Sequence, residues 1–349
     1  MSREDIMKLT INRNDLAAAV VFAHQGCGTR SPLYSGILLQ AGQDGLRFTG
    51  SDGYVSFESL VPGCYDEGEI LLPGLAALVV PALPGEEVSL IAEGGIAVIT
   101  AGRSRFTLQT LPATDYPVRQ SDLSPRGGVD APDLARALRR VLPAVDTAGK
   151  TALPALSGIL TRQVHDRLEF LGTDRYCLGW ATCPFFPVDE TSPEVIIPGS
   201  IIPKLAKLDG ELILEWDEHL FRVKAQESVI TTRALQGKFP KWKYPEATWL
   251  YTGPDFAAVV KRAAATGGNI TLTFGDGLLI ESTGEAGSFA EALPFEYPGT
   301  LRLVLGSKML LDGLYGCGDD AEIGFTTPDK AVHLRDDGYL WSLQPRRDN

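Results

Sequence analysis

Histidine, paired cysteine and long apolar runs are what this 349-residue chain has least of, and each shortage excludes something. Its four histidines, His24, His165, His219 and His333, lie far apart and match neither an HExxH pattern nor a triad signature. A P-loop and a G-x-S-x-G elbow are also missing, so no catalytic apparatus is expected, and no cofactor. The five cysteines, Cys27, Cys64, Cys177, Cys183 and Cys317, are odd in number and form no CxxC pair. Reduced thiols in a cytoplasmic protein are the plain expectation, with no metal site. No apolar run approaches the roughly 18 residues a membrane helix needs. The opening MSREDIMKLTI has no apolar core and no cleavage site, so secretion is not indicated. Positive charge is short as well: 32 Lys and Arg face 44 Asp and Glu, a formal net of −12. That balance alone would argue against nucleic acid, but a protein can be acidic in total and basic on one surface.

What the chain does have is repetition. Residues 44–59, DGLRFTGSDGYVSFES, align without a gap on residues 166–181, DRLEFLGTDRYCLGWA. The match keeps Asp44/Asp166, Leu46/Leu168, Phe48/Phe170, Gly50/Gly172, Asp52/Asp174 and Tyr54/Tyr176, with Ser51 facing Thr173. A fainter copy begins at Asp276 with DGLLIESTGEAGSFAE. Intervals beyond 100 residues are too long for a solenoid and indicate whole domains in series. Three similar domains are expected, at residues 1–121, 126–245 and 249–349. Asp52 and Asp174 could be imagined as paired carboxylates, but they occupy equivalent places in separate repeats, so capping a turn is the reading the spacing favours.

Within the first repeat, Asn12 or Asn14 can cap a helix whose apolar positions Leu16, Ala19, Val20 and Ala23 run up to Gly26. The runs SPLYSGILLQ, DGLRFTGSD and YVSFESLVPG read as antiparallel strands, and Gly94-Gly95 as a hairpin turn. A second helix is expected over LPGLAALVVPAL, ended or kinked at Pro81. Breaker-rich joins span Pro112 to Pro132 and residues 238–255. After the first join, APDLARALRRVLPAV restarts the order as a helix, LPALSGILTRQ as a strand and IIPGSIIPKLAKL as a second helix. After the second join, PDFAAVVKRAAATG and SKMLLDGLYG repeat the pattern. The fold class is α+β, each domain packing two helices on antiparallel sheets of about eight strands.

MKLTINRNDL, GRSRFTLQTLPATDYP, LGTDRYCLGW, VIIPGSIIPKLAKLDG and LQGKFPKWKY together make the chain similar to the bacterial DNA sliding clamps, the beta subunit of DNA polymerase III. The resemblance covers nearly everything from Met7 onward, so residues 1–6 would be a short extension or follow from a misassigned start codon. It implies a non-catalytic processivity factor: a head-to-tail homodimer closing into a ring of six domains, helices lining the hole, around double-stranded DNA held without regard to sequence. Its other implied partners are a replicative polymerase, a clamp loader and further proteins carrying a clamp-binding motif. In such a ring Arg30, Arg136, Arg139, Arg140, Lys150, Lys204, Lys207, Lys261 and Arg262 would face DNA. The residues 131–150 carry four of these cations against Asp133 and Asp146, a local excess of positive charge. The rival is a peptide-binding scaffold that never encircles DNA.

The resemblance also implies a hydrophobic pocket for partner peptides, built from Leu156, Thr173, Asp174, Arg175, Tyr176, Leu178, Pro240, Met309, Leu343 and Pro345. Here the chain departs from the family. A TDGHRL loop has become TDRYCL, with Arg175, Tyr176 and Cys177 in place of Gly, His and Arg. The tail LWSLQPRRDN carries Arg346 and Arg347 where apolar residues are usual. These departures point to a divergent member, phage-encoded or a second copy, with partner preferences of its own.

Overall fold

The computed structural model describes residues 7–114, 116, 122–147, 149, 152–318 and 321–346. The helix α1 (Arg13–His24) starts where Asn12, extended at φ −61° and ψ 134°, accepts the Asn14 N–H on its side chain. This settles which of the two asparagines is the cap. The apolar positions Leu16, Ala19, Val20 and Ala23 are buried, as their spacing requires. Helix α3 (Ala131–Val141) opens with a Pro in its first turn, where a missing N–H costs nothing. It buries Leu134, Ala135, Leu138 and Val141, and α5 (Phe256–Ala264) buries Phe256, Val259, Val260 and Ala263.

The second helix of each repeat is less uniform. In the first repeat α2 is only Ala76–Val79, followed by a tight turn over Val80–Ala82. Pro81 has no N–H to donate to the helix ladder, so the long helix expected over this run cannot continue. In the second repeat α4 is Ile202–Leu205, after a turn over Gly199–Ile201. Only α6 (Ser307–Cys317) is long. The expected strand over LPALSGILTRQ likewise begins late, at Gly158, because Pro154–Ser157 form a 3₁₀ turn in which the Ser157 hydroxyl donates to the Pro154 carbonyl at 2.7 Å. Ser35 and Pro32 do the same in the first repeat, also at 2.7 Å.

The repeated motif now has a physical reading. Leu46 and Phe48, Leu168 and Phe170, and Leu278 and Ile280 are all buried at matching places, each worth about 1.5–3 kcal/mol if fully enclosed. Gly50 lets a strand touch the end of α1: a Cβ there would stand 1.9 Å from the Ala23 carbonyl oxygen. Gly172 does the same beneath α3, where a Cβ would meet Val141 Cγ1 at 2.9 Å. The third copy has Ser282 at this place. Its hydroxyl lies 2.7 Å from Thr266 Oγ1 and donates to the Asn269 carbonyl, so hydrogen bonds replace close backbone contact.

Packing divides the chain into two units, Met1–Arg126 with Glu211–Arg233, and Gly127–Gly210 with Ala234–Asn349. The division at Arg126 lies within the first expected join, whereas Glu211–Arg233 groups with the first repeat because Ser228–Arg233 pairs with Val55–Pro62. In the first unit, an antiparallel sheet runs in the order Gly68–Pro73, Gly36–Gly42, Gly45–Ser51, Val55–Pro62, Ser228–Arg233, Leu220–Ala225, Glu211–Trp216. A second sheet orders Met7–Asn12, Glu87–Glu93, Ile96–Ala101 and Ser104–Gln109, with Gly94 and Gly95 both at positive φ in its hairpin turn.

In the second unit, one sheet orders Val195–Pro198, Gly158–Val164, Arg167–Thr173, Cys177–Pro184, Tyr339–Leu343, Val332–Asp336, Glu322–Phe325 and Thr248–Tyr251. The other orders Gly287–Leu293, Leu278–Gly284, Ile270–Phe274 and Leu301–Leu305. Both expected joins contain a strand, Pro125–Asp130 in the first and Thr248–Tyr251 in the second, with residues 234–247 forming no regular element.

Candidate functional site

The turn between Thr173 and Cys177 is fixed by its own side chains. Asp174 Oδ1 accepts the N–H groups of Tyr176 and Cys177, both at 2.9 Å. Thr173 Oγ1 accepts the Arg175 N–H at 3.0 Å and donates to the Cys177 carbonyl at 2.6 Å. The first repeat builds the same turn: Asp52 Oδ1 accepts from Tyr54 and Val55, and Ser51 Oγ accepts from Gly53 while donating to Val55. Asp52 and Asp174 are thus turn-forming acceptors, the role their spacing favours. In this geometry position 175 is left-handed, at φ +79°, and its counterpart Gly53 is at φ +86°. Glycine adopts that backbone freely, whereas arginine does so under strain.

The turn forms one wall of a cavity of about 550 Å³. Asp174, Arg175, Tyr176, Met309 and Pro345 line it, five of the ten residues expected there, together with Asp146, Gln344 and Arg346. The tail is stitched to the turn, since the Gln344 N–H donates to the Tyr176 carbonyl at 3.1 Å, and the Arg346 N–H donates to Val304 at 2.7 Å. Tyr176 is 64% exposed. The other expected residues are placed differently. Leu156 and Leu343 are core side chains, Thr173 is buried in the turn, Leu178 is half-buried on a strand and Pro240 is exposed outside this cavity. Leu156 and Leu343, which the resemblance placed in the pocket, are both fully buried. Gln344 carries no sequence signal of its own; its backbone N–H ties it to the turn. Burial, and then the adjoining Asp174 carboxylate, push the Cys177 thiol up.

The expected DNA-facing cations fall into two groups. Arg140 pairs with Asp336 at 3.3 Å, donates to the Asp337 carbonyl at 3.1 Å and stacks 5.3 Å from the Tyr339 ring, with its side chain only 18% exposed. Arg139 donates to the Ala206 carbonyl at 2.7 Å, and Arg262 is bidentate to Glu291. These three are tied into the fold. Arg136 pairs with Asp133 one turn earlier but is 62% exposed, a weak attachment. Lys207 and Lys261 are exposed, Lys204 is half-buried, and Lys150 lies outside the described residues. Arg30 is exposed over the ring of Tyr54.

Comparison with known proteins gives the fold a family. Residues 7–120 match the family model for the DNA polymerase III beta subunit, N-terminal domain, and residues 129–241 match that for its central domain. The chain belongs to this family. It is 30% identical to the beta sliding clamp of Caulobacter vibrioides, over 98% of this chain and 100% of that one. With the beta sliding clamp of Streptomyces coelicolor it shares 28% identity, over 98% and 99%. The crystal structure of the C. crescentus beta sliding clamp superposes with a TM-score of 0.90 at 28% identity, covering 99% of this chain and 100% of that one. The chain is therefore a sliding clamp, a non-catalytic processivity subunit that partners DNA and a DNA polymerase.

Proposed function

We propose that two copies associate head to tail into a closed ring of six domains, three per chain at residues 1–121, 126–245 and 249–349, around duplex DNA in the cytoplasm. The observation that carries this is the state of the sheet edges. The four-stranded sheet of the first repeat ends on Ser104–Gln109, and that of the third repeat ends on Gly287–Leu293, each without a neighbour among the described residues. Phe106 on the first edge is 38% exposed. Unpaired edges invite pairing, and a contact between unlike ends of identical chains must close into a ring or run on as a fibre.

Within such a ring the exposed cations Arg136, Lys207 and Lys261 meet phosphates, contacts that hold a duplex without reading its sequence. A clamp loader opens the ring. The cavity beside Arg175 and Tyr176 takes the apolar anchor of a partner peptide; in support, Met309 and Pro345 line it beside the exposed Tyr176 ring. Two measurements test the proposal. Light scattering at micromolar concentration should give twice the chain mass, and a monomer would refute the ring. Changing Arg136 and Lys261 together to Glu should shorten retention on nicked circular DNA while leaving the dimer intact.

A further inference from the structure

The turn Asp52–Val55 of the first unit has the hydrogen bonds of the pocket turn but different surroundings. Tyr54, 54% exposed, has two guanidinium groups over its ring: the Arg30 carbon lies 5.0 Å from the ring centroid and the Arg233 carbon 5.1 Å. The Arg233 N–H donates to the Tyr54 carbonyl at 2.9 Å, so the backbone bearing one cation is fixed to the backbone bearing the ring. Asp52, the nearest acid in sequence, has Oδ1 committed to the amides of Tyr54 and Val55.

Two arginines of this unit have acids, Arg47 with Glu58 at 3.6 Å and Arg222 with Glu215 at 3.0 Å, and Arg126 donates to the Trp216 carbonyl at 2.9 Å. Arg30 and Arg233 form no ion pair among the described residues, although the chain carries twelve more acidic than basic groups. An aromatic face attracts each guanidinium and limits its rotamers without neutralising it. What remains is a pair of exposed, oriented donor forks with unused hydrogens, the arrangement that recognises phosphate oxygens.

We propose that Arg30 and Arg233 form a phosphate clamp for the backbone of a nucleic-acid strand, and that Tyr54 is the positioning residue that holds both forks. This rests on the chain's reading as a DNA-encircling clamp and adds Arg233 to the cations of that surface, with Tyr54 as the residue that positions them. The ligand is the phosphodiester backbone, contacted without base recognition.

The test is equilibrium binding of a short open-ended fluorescent duplex, by anisotropy, across a salt series. Arg233→Gln should lower the slope of log affinity against log salt by about 0.9, one phosphate contact, and the double change with Arg30→Gln by about twice that. Tyr54→Ala keeps both charges, so the slope should hold while affinity falls about two- to fivefold; Tyr54→Phe, which keeps the ring, should match the wild type. Arg47→Gln removes the same charge from a paired arginine and should leave the slope unchanged.

An Arg233→Gln slope equal to that of Arg47→Gln, or an unchanged affinity in Tyr54→Ala, overturns the proposal. If duplex binding is weakened by the Arg136 and Lys261 reversals but not by Arg233→Gln, the clamp reading stands and this site alone fails. If the wild type shows no salt-dependent duplex binding, both fall. Capture of a glutamate-rich peptide that is lost in Arg233→Gln, with duplex binding intact, would assign the surface to an acidic partner and refute it equally.

Discussion

Replacing Arg175 by glycine should make this protein more stable, although it removes a charged side chain and enlarges a cavity wall. Arg175 sits at φ +79° in a turn whose backbone is held by four hydrogen bonds from Thr173 and Asp174. A left-handed backbone costs a residue with a Cβ about 1–2 kcal/mol. Glycine removes that cost, but its freer unfolded chain takes back about 0.5–1 kcal/mol. The net is a gain of about 0.5–1 kcal/mol. The reverse change, Gly53→Arg, should go the other way: that backbone is at φ +86°, and a Cβ would stand 3.0 Å from the Tyr34 hydroxyl. Trp180, Trp242, Trp249 and Trp341 all belong to the second unit, so tryptophan fluorescence during urea unfolding reports chiefly on the unit that holds Arg175. At a slope of about 2–3 kcal/mol per molar, the midpoint should rise by about 0.2–0.5 M for Arg175→Gly. A lower midpoint for Arg175→Gly would show that the arginine side chain stabilises the turn by more than its backbone strain, and the reasoning would be wrong.

Combining Arg175→Gly with Tyr176→His should strengthen binding of a generic clamp-binding peptide, measured by calorimetry; no gain would mean that the altered turn does not narrow the pocket. Arg140→Ala should cost about 1–3 kcal/mol because it strands the Asp336 carboxylate and uncovers Tyr339, whereas Arg136→Ala should stay within about 0.5 kcal/mol in the same denaturation assay. Burial pushes the His333 imidazole down from 6.5 to about 4, so between those values the unfolded chain binds a proton that the native state excludes. Stability is therefore complete above about pH 6.5, declines by up to about 3 kcal/mol on acidification to pH 4 and levels off below, and His333→Gln should flatten that decline. A thiol reagent should modify exposed Cys64 quickly in the native protein and reach Cys183 and Cys317 only on unfolding, since burial pushes both of these up to about 12.

The repeat determined much by itself. Leu168, Phe170 and Gly172 are legible as core and close-approach positions because the same local physics acts on Leu46, Phe48 and Gly50, and the burial follows. The turn role of Asp52 and Asp174 and the apolar faces of α1, α3 and α5 depend on neighbours within a few residues, so spacing reveals them. Tertiary structure decided what depends on distant partners. Ser228–Arg233 pairs with Val55–Pro62, and no local pattern states which edge a strand will find. Arg136 and Arg140 are one helical turn apart and look alike in sequence, yet one is exposed and the other is held by Asp336, almost 200 residues away. Sequence showed that a glycine of the family had become Arg175, but only the backbone showed that the left-handed turn survived the replacement. The same holds for Arg233 over Tyr54: each residue is ordinary alone, and the paired cations exist only because a strand of the second repeat lies against the first.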